Sequence, residues 1–293
     1  MLAGLFLAYG VKLQLTHFRL WSIFLSTLFV IYTTSTIWQH ARRTNVEKVS
    51  FVKFAGQKLV RFILDWFPVV ALITIYENLR EYTGIIRTNA IDATLLKLDI
   101  LLFGVEPTVW IQRFAHPILS DYFAFTYSLY LILPLSLGWL LYLLSRRREF
   151  HTLSTAVILC LCIGFLLYLL FPAGPPRFFI ADQFDPPHLV GYFGYYNAIQ
   201  SRFDAINPMT YRASFPSLHV ALSSLALIYA IKFKSTIPLN RIIGAVYFVL
   251  VTSLWIATVY LRHHWVVDIF AGWAVALASV AAASWIQKRW PAL

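Results

Sequence analysis

Along the chain, apolar runs of about 20 residues alternate with short clusters of charge, a spacing set by bilayer thickness rather than by an amphipathic helix or strand. The first such run covers residues 20–38 and carries tryptophan at both ends, Trp21 and Trp38, as interfacial aromatics often stand. A basic stretch over residues 40–61 follows and reads as partly amphipathic, lying on anionic headgroups. A second run spans residues 62–79, with Asp65 and Pro68 marking a helix end or kink near its start. Further runs cover residues 122–144 (Asp121 as N-cap), 152–171, 214–233, 242–260 and 264–286. Between the second and third, residues 80–121 interleave charge with Leu, Ile and Phe. There Leu95, Leu98, Leu102 and Val105 recur at helical spacing, which predicts one or two short interfacial helices punctuated by Pro107 and Pro117. Residues 2–15 are apolar but short and interrupted by Lys12, compatible with an interfacial helix, a signal-anchor or the end of a span. The expected fold is all-α: a polytopic transmembrane helical bundle of six to seven spans with short amphipathic interfacial helices. Residues 1–80 are expected to form its N-terminal membrane helices with a basic cytoplasmic loop, and residues 81–293 the main helical bundle, including an outer loop over residues 172–213. The weaker, alternating pattern of a β-barrel is missing.

With 59% hydrophobic and 13% charged residues, the composition excludes a soluble globular domain. The net charge of +11 raises nucleic acid as a partner, but the distribution removes it. Basic residues gather in short inter-helix segments, at Arg146-Arg147-Arg148, at Lys232, Lys234 and Arg241, and at Lys288-Arg289, as the positive-inside rule produces. That rule puts these segments in the cytoplasm and the opposite helix ends, bearing Arg177, His219 and His264, on the extracytoplasmic face. Cys160 and Cys162 read as buried packing thiols rather than a disulfide or metal pair.

Three stretches on that face carry chemistry. After residue 171 the run Pro172-Ala173-Gly174-Pro175-Pro176-Arg177 stops any helix and opens a loop over residues 172–213, long enough to expect function. Arg177 either snorkels to headgroups or clamps a phosphate in bidentate fashion, and Arg202 and Arg212 are further candidate clamps. Next, Ser214-Phe215-Pro216-Ser217-Leu218-His219 makes a helix N-terminus capped by Ser214 or Ser217, which is either an anion site with His219 on its opening turn or an ordinary capped helix with an interfacial histidine. Last comes Arg262-His263-His264-Trp265-Val266-Val267-Asp268. Read as a helix, it puts His264 and Asp268 one turn apart on one face and rotates His263 away. A carboxylate there takes the proton on one ring nitrogen and leaves the other as base or nucleophile. A zinc site is the main competitor, but the adjacent histidines diverge and no HExxH pattern is present, so no metal and no cofactor are expected.

PSLH, followed some 45 residues later by HHWVVD, resembles the second and third signature motifs of the type-2 phosphatidic acid phosphatase superfamily, usually PSGH and SRxxxxxHxxxD. Leu218 in place of glycine, the paired histidines and a GPPRFF loop in place of the first motif resemble more closely its inositol phosphorylceramide synthase branch. The resemblance implies metal-independent transfer through a phosphohistidine. His264 is then the nucleophile, Asp268 its orienter and His219 the acid. Ser217 holds the phosphate and Arg177 stands for the arginine of the first motif. The superfamily arginine six residues before the nucleophile falls on Thr258, and Arg262, one turn on, is the candidate to supply its charge. The implied activity is an integral membrane lipid phosphotransferase that moves a phospho-headgroup from a phospholipid to a lipid alcohol. With water as acceptor it becomes a lipid phosphatase acting on phosphatidic acid or prenyl pyrophosphate. A transporter or channel using the histidines as a proton relay is a third reading, disfavoured because the spans are almost free of ionisable residues.

Overall fold

The computed structural model describes residues 48–79, 83, 89–204, 212–237 and 240–290. The expected run at residues 20–38 and the apolar residues 2–15 lie outside them. The described residues form eleven α-helices, two short 3₁₀ turns and, in place of any strand, one isolated parallel bridge between Ala173 and Ala213. They fall into two units divided after Asn78.

The described part of the first unit is helix α1, Lys48–Leu79. It runs through Pro68 without a break, so neither Asp65 nor Pro68 ends a helix, and the expected basic loop and second run share one element. Proline deletes a single amide donor, and the remaining backbone groups still find their partners within the helix.

The second unit contains α2 (Asp92–Phe103), α3 (Pro107–Ile111), α4 (Pro117–Ser128), α5 (Ile132–Leu143) and α6 (Arg147–Leu170). It continues with α7 (Pro176–Phe179), α8 (Tyr195–Asp204), α9 (Leu218–Lys232), α10 (Asn240–Tyr260) and α11 (Val266–Arg289). Among the described residues α6, α10 and α11 are each long and apolar enough to cross a membrane; α4 and α5, bent by 48° at their junction, make a fourth crossing if taken together. The protein is a multi-pass integral membrane protein. Its lipid-facing surface is apolar, with Ile242, Val246, Phe248 and Val249 of α10 and Leu277 of α11 exposed.

Helix α9 is the axis of this unit and packs against α5, α6, α10 and α11. It is apolar on all sides, and residues 218–227 are buried throughout, as a helix enclosed by others must be. Its serines satisfy themselves within the helix, Ser223 and Ser224 both donating to the Val220 carbonyl. Where α9 starts, α11 passes so close that a Cβ on Gly272 would lie 2.6 Å from the Ser217 carbonyl oxygen.

Three expectations need correction. Helix α2 is amphipathic in the reverse sense: Asp92, Leu95 and Asp99 are buried, while Leu98 and Leu102, and Val105 just beyond the helix, are exposed. A helix with apolar solvent outside and polar partners inside inverts the rule for water. Asp121 does not cap a helix. His116 caps α4, its Nδ1 accepting from the Ile118 amide, with Pro117 at the first helical position. Asp121 instead accepts from the Phe193 and Tyr196 amides and ties down the long loop, which holds α7, a 3₁₀ turn and α8. Cys160 is buried as expected, but Cys162 is exposed on α6.

Candidate active site

Backbone hydrogen bonds stitch three separate segments together at one end of α6, α9 and α11. The chain leaving α6 pairs with the chain entering α9: the Ala173 amide donates to the Arg212 carbonyl (3.1 Å) and the Ser214 amide to the Ala173 carbonyl (2.9 Å). The segment between α10 and α11 joins both. The Arg177 amide donates to the Arg262 carbonyl (3.2 Å), the Ser217 amide to the Asp268 carbonyl (3.1 Å), and Trp265 Nε1 to the Gly174 carbonyl (3.1 Å). Residues remote in sequence are thereby held in register mostly by main chain, with one side-chain donor, the Trp265 indole.

At the start of α9, Ser217 is the N-cap, its Oγ accepting from the Val220 amide at 3.3 Å, and Pro216 stands just outside the helix. His219 is the second helical residue and is buried. At the end of α10 the chain turns through Arg262, whose φ of 63° is left-handed, and the Thr258 carbonyl accepts both the His263 and His264 amides at 3.0 Å. The two histidines therefore sit on a turn. α11 begins only at Val266, with Trp265 as its N-cap. His264 and Asp268 are not one turn apart on a shared helix. They meet because Asp268, at the third position of α11, reaches back: its Oδ2 accepts from the Trp265 amide (3.1 Å) and lies 3.1 Å from His264 Nδ1. Ser214 Oγ donates to the same oxygen at 2.9 Å and lies 3.2 Å from His264 Nδ1. With Nδ1 engaged on this buried carboxylate, Nε2 is the His264 nitrogen left for a substrate.

Because His263 lies on a turn, the helical argument that rotated it out of the site fails. Tyr127 of α4 stacks between His219 (ring centroids 4.2 Å) and His263 (4.7 Å), and Tyr130 closes on His219 at 4.0 Å. The His219 and His264 rings are 5.5 Å apart, so the two candidate imidazoles are brought together. Tyr127 Oη lies 3.4 Å from His219 Nδ1. Arg177 reaches the same cluster, one terminal nitrogen 2.9 Å from His263 Nδ1 and 3.5 Å from Gln200 Oε1, its plane over Phe178. Since a guanidinium only donates, His263 Nδ1 accepts and the ring is neutral. Burial, with the Arg177 cation beside it, holds the His263 pKa well below its ordinary value.

The other candidates are placed differently. Arg262 donates to the Pro187 and Pro186 carbonyls at 2.8 and 2.9 Å and lies over Phe184, so its charge is spent on the long loop instead of replacing the arginine absent at Thr258. Arg212 pairs with Asp92 at 2.8 Å rather than standing ready for a phosphate. Arg202 lies on α8, with its side chain outside the described part. Among the described residues no group of three or more His, Cys, Asp or Glu is arranged to hold a metal ion. Sequence reasoning missed His263, Tyr127 and Tyr130, and saw Ser214 only as a cap. It also missed Asp92 and Asp99, though two carboxylates seven residues apart on a leucine-rich helix were a readable signal.

A family model described as the PAP2 superfamily matches residues 93–282. The chain is 28% identical over 273 residues to a phosphoinositol dihydroceramide synthase of Bacteroides thetaiotaomicron, an alignment covering 87% of this chain and 88% of that protein. No solved structure matches. These matches, with a buried pair of histidines at the end of a membrane bundle, make the protein a membrane lipid phosphotransferase or phosphatase, and the chain belongs to the PAP2 superfamily.

Proposed function

We propose that the protein transfers a phospho-headgroup from a phospholipid to a lipid alcohol at the extracytoplasmic face, without a metal, through a covalent intermediate on His264. Phosphoinositol and dihydroceramide, named in the description of the relative, are the headgroup and acceptor to try first. His264 Nε2 attacks the phosphorus, a P–N bond forms and the P–O bond to diacylglycerol breaks. His219 gives its proton to the departing glycerol oxygen. His219 then takes the proton of the acceptor hydroxyl, whose oxygen attacks phosphorus and releases His264. Asp268, supported by Ser214, holds the ring orientation and balances the charge that builds on it. Charge on the equatorial oxygens is met by Arg177 and by the N-terminus of α9, where the first amides point outward.

The observation that carries the reading is the 5.5 Å separation of the His219 and His264 rings, with His264 Nδ1 on Asp268. The extracytoplasmic assignment rests on charge: α6 starts at Arg147, α9 ends at Lys232 and α11 ends at Arg289, all at helix ends opposite the histidines. The test gives purified protein a phosphatidylinositol labelled at phosphorus, with and without dihydroceramide. Label passes to the acceptor lipid in the wild type, and His219→Ala lowers the rate about 10²–10⁴-fold, the usual contribution of a positioned acid–base group. Water-soluble label, released as inositol phosphate at one rate whether or not acceptor is present, would make the protein a lipid hydrolase with water as its acceptor instead.

A further inference from the structure

Two helices begin at the candidate site, and their N-termini are treated differently. At α9 the cap is a neutral serine. At α11 the positive end of the helix is filled by a carboxylate from another element: Asp99 of α2 accepts from the Val266 amide at 2.8 Å and from the Val267 amide at 2.9 Å, one bond to each oxygen. Asp99 is fully buried. The remaining opening donors of α11 are also taken, the Trp265 amide by Asp268 Oδ2 and the Asp268 amide by the Trp265 carbonyl. Seven residues earlier on the same face, Asp92 accepts from the Gly174 amide (2.6 Å) and pairs with Arg212, fixing the chain that leaves α6 and the chain that enters α9. α2 thus presents one carboxylate to each side of the site.

Burying a charge this way is costly unless the charge is used. Asp99 and the nearby Glu106 both have raised pKa values, to about 6 and about 7, mainly from burial, and the negative charge of Asp268 works against both. Packing alone would be served by leucine at position 99. What the carboxylate adds is a fixed position for the two amides immediately after Trp265, and hence for the turn that carries His264.

We infer that Asp99 is a positioning residue for His264: by gripping the Val266 and Val267 amides it sets where the nucleophile turn meets α9. This rests on the proposed role of His264. A helix start free to shift would still bind lipid but would misplace His264 Nε2 relative to phosphorus, and a misplacement near 1 Å costs on the order of 10²-fold in rate.

The test uses the full chain in lipid nanodiscs, with phosphorus-labelled phosphatidylinositol as donor and dihydroceramide as acceptor. Asp99→Asn keeps the shape but offers an amide nitrogen to one of the two donors. Val266→Pro removes one donor and leaves Asp99 intact; proline suits the first helical position, and Trp265 already has the extended backbone (φ −69°, ψ 155°) that a following proline requires. Each substitution is expected to lower kcat about 10- to 100-fold, with KM within about threefold and Tm within a few degrees. The double variant should be no slower than the worse single one, because both act through one carboxylate. Retention of kcat within about twofold in Val266→Pro, or multiplication of the two losses, overturns the inference even if Asp99→Asn fails to fold. Equal activity in wild type and His264→Ala would instead sink the parent reading, so the two failures are separable.

Discussion

Asp268 Oδ2 gathers three donors, from Ser214, the Trp265 amide and the His264 ring, in a region where none of them meets water. That concentration makes the imidazole a fixed group rather than a rotor, because turning the ring would take from a buried carboxylate one of its three donors. Glu106 is a quieter case of the same economy. Its Oε1 accepts from the Thr108 amide and hydroxyl, yet burial, with Asp99 and Asp268 nearby, raises its pKa to about 7. The folded protein therefore holds this proton more tightly than the unfolded chain does. The stabilisation is full below the ordinary carboxylate pKa and is lost as pH rises through about 7. Glu106→Gln keeps the acceptor for Thr108 without the charge. Its Tm relative to wild type should climb by several degrees between about pH 5 and pH 8 in detergent melts, through removal of that titration. A difference in Tm that stays flat across this window would show that Glu106 does not carry the linkage.

At the scale of elements, the register of α9 against α11 decides whether the residues meet, and glycine sets that register. A methyl on Gly272 would lie 2.6 Å from the Ser217 carbonyl oxygen, which is main chain and cannot swing aside. On Gly164 it would meet only the Leu218 side chain, and on Gly244 nothing within 4 Å. Gly272→Ala should therefore destabilise by about 1–3 kcal/mol and depress activity beyond its loss of folded protein, while Gly164→Ala costs less. Gly244→Ala should stabilise by up to about 1 kcal/mol. Equal melting shifts for the three would contradict this account of the α9–α11 contact. The same elements show what the sequence could reveal. Apolar run lengths located α6, α10 and α11, since the bilayer fixes that period, and the paired motifs located His219, His264 and Asp268. Periodicity could not place the start of α11, because the left-handed turn at Arg262 and the cap at Trp265 depend on contacts with Thr258 and α2. Nor could it find the break between α4 and α5, where residues 129–131 are as apolar as the helices beside them. Tyr127 and Tyr130 carried no local signal among 16 tyrosines and 24 phenylalanines; only the fold singles them out.

On the scale of the whole catalytic unit, one pattern governs: polar groups are drawn to one end of α6, α9 and α11, and positive charge to the other. A carboxylate from α2, an arginine from the loop after α6, a serine and a histidine from around the start of α9, and a histidine from before α11 come from four stretches of chain, yet meet at that one end. None of the described spans α6, α10 and α11 places a charged residue deep in its interior, which leaves little for ion or proton conduction and much for chemistry at the membrane boundary. The central claim is that His264 becomes covalently bonded to phosphorus during turnover. It is tested most directly by mixing the purified protein with donor lipid labelled at phosphorus, without acceptor, and quenching in alkali, which spares a phosphorus–nitrogen bond. The account predicts label on the peptide containing His264, discharge of that label when dihydroceramide is added, and no label in His264→Ala. Wild-type protein that forms lipid product while carrying no label, or His264→Ala protein that still becomes labelled, would contradict it.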